Sequence, residues 1–244
     1  MEVYWLEQSE ADLPMADDWL SSSEADRLSK LRFAKRRSDW KLGRWTAKNA
    51  LALYFLYLKL PVDPQVLASI EIRPAPSGAP EAFFQNKPAA ATISLSHRAG
   101  IAACAVGCSS GVLGCDLETI EPRSDAFLAD YFTTAEQSFV AEVSAADRPR
   151  LLALLWSAKE SALKVLREGL RLDPRNVIVS LRDEAFDFDG WNPIVVRHTD
   201  RGTFCGWWQH EDSIVRTLVA APPPNPPIRL RMPSYVRDAA SLRA

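Results

Sequence analysis

The 244-residue sequence contains no long apolar run. Nothing approaches the ~20 consecutive apolar residues that a membrane-spanning helix needs. Neither charge is in excess: 29 Lys and Arg face 31 Asp and Glu. A near-neutral chain gives no global argument for nucleic acid or an anionic membrane as partner, so any basic site must come from local clustering. The start, Met1-Glu2-Val3-Tyr4-Trp5, has no basic segment with an apolar one behind it, and no signal peptide is read there. Cysteine is scarce. Cys104, Cys108, Cys115 and Cys205 match no common zinc spacing, and three of them fall in apolar, strand-like runs. Buried, reduced thiols in a cytoplasmic protein are the expectation. A G-x-x-x-x-G-K-[ST] loop is also missing, which disfavours P-loop nucleotide chemistry.

What is present is a set of helix and strand signals that runs through twice. Residues 2–7 predict a short strand. Ser21 and Glu24 have capping-box spacing, and the helix they open carries Arg27, Lys30 and Arg32. A second helix follows from about Ala34 to Leu60, with Pro61 and Pro64 ending it. Its first half holds Lys35, Arg36, Arg37, Lys41, Arg44 and Lys48, the densest basic region of the chain. That region is either a solvated face or a site for a small phosphate ligand. A duplex does not suit it, because Trp40, Leu42 and Trp45 interrupt the charge and no basic stripe extends further. Residues 74–91 read as a long loop. Three strands then form a meander. Ile93 and Leu95 alternate with Ser94 and Ser96, His97 stands at the first turn, and Val112 to Glu118 make the third strand. First and third strands of a meander are parallel, so His97, Asp116 and Glu118 are expected at one edge. Asp116 and Glu118 are two apart and point to one side of their strand. Such a pair fits a hard divalent cation such as Mg²⁺, or else is a solvated strand end.

The second round begins with a short helix over Asp125–Phe132, and Thr133 to Glu136 open another. The run Asp147 to Glu168 predicts a central helix stopped by Gly169. Its apolar arc is wide enough to be buried on more than one side, and Lys159 falls inside that arc. Glu160 and Lys164 lie just past the edge of the arc, one turn apart. Taken alone, this is a core helix with an ordinary surface ion pair. Strands are expected at 177–179, 194–196, 206–208 and 214–219. Residues 222–244, proline-rich at first, read as an extended appendage. The fold class is α+β, with helices and antiparallel strands in 1–112 and again in 113–221. The sequence shows no repeat between these halves.

Three motifs now stand in chain order: Ser96-His97, Gly114-Cys115-Asp116-Leu117-Glu118, and Trp156-Ser157-Ala158-Lys159-Glu160-Ser161-Ala162-Leu163-Lys164. Together they resemble the Sfp-type 4′-phosphopantetheinyl transferases, with patterns S-H, G-x-D-x-E and W-x-x-K-E-[AS]-x-x-K. Phe132-Thr133-Thr134-Ala135-Glu136 is similar to that family's F-[ST]-x-x-E, and Gly169-Leu170 to its glycine-leucine pair. The resemblance covers about residues 1–221. It implies two similar α+β lobes related by a pseudo-twofold axis, with coenzyme A in the cleft between them. The implied activity moves the 4′-phosphopantetheine arm of coenzyme A to a serine of an apo acyl- or peptidyl-carrier protein, releasing 3′,5′-ADP. Asp116, Glu118 and Glu160 match the family's Mg²⁺ positions. Lys159 and Lys164 match lysines that meet the pyrophosphate, and His97, after Ser96, matches the histidine at the coenzyme A phosphates. Arg36 and Arg44, with Lys35 and Arg37, resemble positions that hold the 3′-phosphate, and Arg27 and Lys30 lie where other members carry phosphate-binding residues. The implied site is complete within one chain, so the expectation is a monomer with no nucleic-acid or membrane partner. One position departs. Members often have G-K-P before the S-H strand, whereas this chain has Gly78-Ala79-Pro80.

Overall fold

The computed structural model describes residues 1–59, 64–181 and 190–232. In chain order its elements are β1 (Val3–Ser9), α1 (Ser22–Ser29), α2 (Ala34–Tyr57), β2 (Ile70–Pro74), β3 (Pro80–Phe84), β4 (Lys87–Pro88), β5 (Ala91–Arg98), β6 (Ile101–Cys108) and β7 (Val112–Thr119). Then come α3 (Asp125–Tyr131), α4 (Thr134–Glu142), α5 (Arg148–Val165), β8 (Val177–Leu181), β9 (Asn192–His198), β10 (Gly202–Glu211), β11 (Ile214–Ala221) and β12 (Ile228–Arg229). The fold is α+β in two lobes.

One sheet has the order β12-β1-β6-β5, with β2-β3-β4 as a separate small sheet beside it, and the other has the order β7-β11-β10-β9-β8. The halves repeat one plan. A first strand leads to helices, the long helix packs on the sheet, and the last strand of the round returns to pair with the first. Thus β6 pairs antiparallel with β1, and β11 pairs antiparallel with β7. In the first half α2 buries Ala47, Ala50, Leu51 and Tyr54 against β1, β5 and β6. In the second, α5 buries Leu154, Ala158, Ala162 and Leu163 against β8, β9 and β11. Leu151, Leu152 and Leu155, on another side of α5, pack against α3 and α4. Burial on two sides explains the wide apolar arc; each fully buried leucine contributes about 1.5–3 kcal/mol. The two large sheets close on each other through Trp5, Ala103, Ala105, Leu113, Leu117 and Leu218. A buried ion pair joins them at one end, where Arg216 of β11 holds Glu7 of β1 at 2.5 and 2.9 Å.

The same device appears in both halves. Ser21 caps α1 in a capping box with Glu24, and Glu24 takes the buried Lys48 of α2 at 2.5 Å and the amide of Ile72 on β2. Thr133 caps α4 in a capping box with Glu136, and Glu136 takes the buried Lys159 of α5 at 2.9 Å and the amide of Val179 on β8. Each time a glutamate ties a helix start, a long helix and a strand together.

Four expectations need correction. The stretch 74–91 is not all loop, since β3 and β4 lie in it. β7 does not continue the β5–β6 meander by a backbone ladder, because its edge is taken by β11 and that of β6 by β1. The central helix ends at Val165 rather than at Gly169, with Arg167 in the left-handed region (φ +57°). The segment after 221 is no free appendage up to residue 232. β12 runs parallel to β1, and Ile228, Leu230 and Met232 pack on the core of the first lobe. Residues 233–244 and Pro61 lie outside the described residues. All four thiols are free, but only Cys104 and Cys115 are buried; Cys108 is exposed and Cys205 half-buried. No helix among the described residues is long and apolar enough to cross a membrane.

Candidate active site

The site forms where β5 of the first lobe lies beside β7 of the second. The serines of β5 make that contact. Ser94 Oγ accepts the Cys115 amide at 2.9 Å, and Ser96 Oγ accepts the Leu117 amide at 3.1 Å. Both serines are buried. The serines of this alternation form a row of hydroxyls substituting for a missing backbone ladder.

The same Ser96 hydroxyl donates to Asp116 Oδ1 at 2.8 Å. Lys164, from the last turn of α5, donates to that oxygen at 2.8 Å and to the Cys115 carbonyl at 2.9 Å. Asp116 is 5% exposed, and its second oxygen, Oδ2, is buried with no hydrogen-bond partner. A buried carboxylate oxygen without a donor is costly, and calls for a cation or a ligand. Glu160 and Glu118 are the nearby acids. Burial raises the Glu160 carboxyl above its ordinary range and Asp116 and Glu118 add to this, while Lys164 opposes it. Glu118 is likewise raised by burial and by Asp116. Arg123 and Arg98 approach Glu118 Oε2 at 2.9 and 3.5 Å and counter that shift. Burial disfavours the Lys164 charge, yet Asp116 and its other anionic neighbours hold its pKa above the ordinary value.

The fit to a metal ion follows from this donor set. Asp116, Glu118 and Glu160 offer carboxylate oxygen only, as hard divalent cations require. Their mutual repulsion and the orphaned Oδ2 favour a cation among them. Among the described residues, however, no group of three or more His, Cys, Asp or Glu side chains is already drawn together as a cage. Glu118 is turned onto its two arginines instead.

The position of α5 depends on Gly114. A Cβ there would sit 1.9 Å from the Ser161 carbonyl oxygen, so the helix backbone rests directly on β7. Ser157 and Ser161 fix its register through Thr217 Oγ1 at 2.8 and 2.7 Å, and Thr217 is the β11 partner of Asp116. Gly114→Ala must therefore displace α5 and separate Glu160 and Lys164 from Asp116. A loss at or above the upper end of the usual ~1–3 kcal/mol for overpacking is expected, read as a lower denaturant midpoint.

The remaining expected residues divide. His97 is more than half exposed, with Nε2 3.9 Å from Asp39 and within electrostatic reach of Lys164 and Asp116. It lines a shallow cavity of about 390 Å³ with Phe33, Lys35, Arg36, Asp39 and Trp40, so Arg36 and His97 do come together. Arg37 does not join them; it donates to the Leu28 and Leu31 carbonyls at the end of α1. Arg44 is nearly buried, 3.9 Å from Glu24 and 5.0 Å over the Trp40 ring, and its Nε has no hydrogen-bond partner. Burial pushes its guanidinium below the ordinary value; Glu24 opposes this and Arg27 adds to it. Arg27 and Lys30 are exposed on α1, and no hydrogen bond or ion pair among the described residues joins Lys30 to the site.

Lys159 lies apart from these residues. Its ammonium is fully buried, 2.9 Å from Glu136, and donates to the carbonyls of Pro174 (3.0 Å) and Val177. It lies 5.3 Å over the Phe132 ring. It faces the second-lobe core and not the Asp116 junction. The F-T-x-x-E stretch thereby has a structural role, supplying the ring, the helix cap and the counterion of this lysine.

Behind Lys164 a cleft of about 330 Å³ runs between the lobes, lined by Ser77–Pro80, by Thr92–Leu95 and by Leu163, Lys164 and Arg167. An acid set beside a lysine that lines an inter-lobe cleft, with Arg36 and His97 lining a second cavity, suits an enzyme that handles phosphate esters. Residues 112–219, from β7 through most of β11, match the family model of the 4′-phosphopantetheinyl transferase superfamily. The match contains Asp116, Glu118, Glu160 and Lys164, and it supports that superfamily without singling out the Sfp type. No curated protein matches the chain.

Proposed function

We propose that the protein is an Mg²⁺-dependent 4′-phosphopantetheinyl transferase that loads an apo acyl- or peptidyl-carrier protein from coenzyme A. The observation that carries this reading is the Asp116 junction. One carboxylate there is bound by a serine of one lobe and a lysine of the other, its free oxygen is buried, and it lies inside the matched segment. The lobes divide near residue 112, and the chain after 221 packs back on the first lobe as far as residue 232.

Asp116, Glu118 and Glu160 would hold the cation, which when bound neutralises pyrophosphate charge. For Glu118 this means leaving Arg98 and Arg123. Lys164 stands at the cleft wall to take the negative charge of the departing phosphate. Arg36 and His97 receive the 3′-phosphate, with Arg44 and Arg27 adding positive potential behind them. The carrier serine hydroxyl attacks the phosphorus that bears the pantetheine arm. A new serine O–P bond forms, the pyrophosphate bridge breaks, and 3′,5′-ADP leaves. Glu160, or a water it orients, takes the serine proton. The test is the intact mass of several apo carrier proteins after incubation with coenzyme A and Mg²⁺. Gain of one phosphopantetheine is expected. A protein that binds coenzyme A and leaves every carrier unmodified is a binding module, and release of phosphate from another nucleotide marks a different phosphoryl-transfer enzyme.

Carrier docking is assigned to α3. Leu128 and Phe132 belong to the core, but Phe127 and Tyr131 are half-buried and meet the Trp156 ring edge-on and tilted, one turn before Glu160. Arg123 is committed to Glu118 and Glu121 and lies over Phe127. Reversing its charge would therefore disturb the acids as well. Phe127→Asn is the cleaner variant. It should raise the KM for carrier protein roughly tenfold, as for loss of an aromatic anchor, with the KM for coenzyme A unchanged. An unchanged carrier KM in the folded variant places the docking surface elsewhere.

A further inference from the structure

Two residues past the end of α5, Arg167 holds a left-handed backbone (φ +57°). Glycine adopts that conformation freely and arginine does not; Gly169, just beyond, shares it at φ +54°. With a long side chain at such a position, what the side chain reaches becomes the question. The Arg167 guanidinium reaches from the second lobe to the first, with Nη1 3.3 Å from Glu81 Oε1. Arg171 makes a parallel contact, donating to the Ser77 carbonyl at 3.3 Å. Both bridges cross to the Ser77–Glu81 segment on the lip of the inter-lobe cleft. Arg167 lines that cleft and also a second cavity of about 390 Å³ beyond Pro80. Its pair with Glu81 therefore stands between two spaces.

The pair is also easily broken. The side chains are 45% and 40% exposed, and an exposed ion pair of this kind is weak. A phosphate in the cleft is a better partner for a guanidinium, since it accepts two charge-assisted bonds at once. Lys164 lines the same cleft three residues earlier, so an anion drawn by it comes within the neighbourhood of Arg167.

We infer that Arg167 is a latch that exchanges partners. It is paired with Glu81 across the cleft mouth when the cleft is empty, and turned onto a phosphate of the ligand when the cleft is filled. The identity of that ligand as coenzyme A rests on the function proposed above. The latch is tested by titration calorimetry of coenzyme A into the wild type, Arg167→Gly, Glu81→Gln and the double variant. Arg167→Gly should bind about tenfold more weakly, having lost a charge-assisted contact. Its melting temperature should hold or rise, because glycine relieves the left-handed backbone. Glu81→Gln should bind roughly two- to fivefold more tightly, because a competing exposed pair is gone. In the Arg167→Gly background Glu81→Gln should change nothing. Equal affinity in wild type and Arg167→Gly overturns the latch, as does tightening by Glu81→Gln that persists without Arg167. Should folded wild type bind no coenzyme A, the functional reading falls separately, and inorganic pyrophosphate becomes the probe. Weaker pyrophosphate binding by Arg167→Gly then upholds the latch, and equal binding overturns it.

Discussion

Asp116→Asn is expected to yield a folded protein that no longer loads a carrier protein. The substitution keeps the shape of the side chain and its hydrogen bond from Ser96, and removes only the charge that faces Lys164 and the orphaned Oδ2 position. A weakened hold on the cation that neutralises the pyrophosphate should slow turnover by roughly a hundred- to a thousandfold, the scale of losing one electrostatic stabiliser of the transition state. Asp116→Ala is the less clean variant. A site acid chosen from sequence alone would be expected to leave the fold intact, but this one is buried and ties β5, β7 and α5 together. Alanine leaves the Lys164 ammonium and the Ser96 hydroxyl short of an acceptor, at a cost of about 1–3 kcal/mol. The two variants thus separate chemistry from folding. Turnover should fall at least a hundredfold in both, while the thermal midpoint should fall clearly only in the alanine form. Near-normal loading by the asparagine variant would remove Asp116 from the mechanism, and the metal assignment with it.

The parts of this site that the sequence exposes are those set by local chemistry. Strand alternation places Asp116 and Glu118 on one side, and helical spacing places Glu160 and Lys164 on one face. Capping chemistry at Ser21 and Glu24 marks a helix start that the structure keeps. What the sequence hides is partner choice between distant elements. Ser94 and Ser96 look like solvent-facing strand residues because nothing local says that β7 will offer unpaired amides beside them. Gly114 looks like a motif letter until the Ser161 carbonyl is seen where its Cβ would be. Arg98 and Arg123 are anonymous surface arginines until Glu118 lies between them. The repeat between the halves is also hidden. It survives as a device rather than as a string of similar residues: a capping glutamate followed, at nearly the same distance, by one lysine in the long helix.

That device gives the last expectation, which concerns Lys159. Motif position alone puts it on the pyrophosphate; its surroundings make it a structural counterion. Burial pushes its ammonium below the ordinary value, and Glu136 opposes that shift, as Glu24 does for Lys48. Lys159→Met should cost about 3–5 kcal/mol, because the Glu136 charge stays behind in the core without its cation. Lys159→Met with Glu136→Gln should recover much of that loss. The glutamine carries no charge, and its side-chain oxygen still accepts from the Thr133 amide, where Glu136 now does so at 2.9 Å. The methionine fills the space of the lysine stem against Phe132. Coenzyme A affinity measured on the folded double variant should equal that of the wild type. Urea midpoints supply the stability half of the test and calorimetry the affinity half. A double variant that regains its stability and still fails to bind coenzyme A would return Lys159 to the pyrophosphate. A single variant with no loss of stability would mean that Lys159 is held by its carbonyl contacts rather than by its carboxylate.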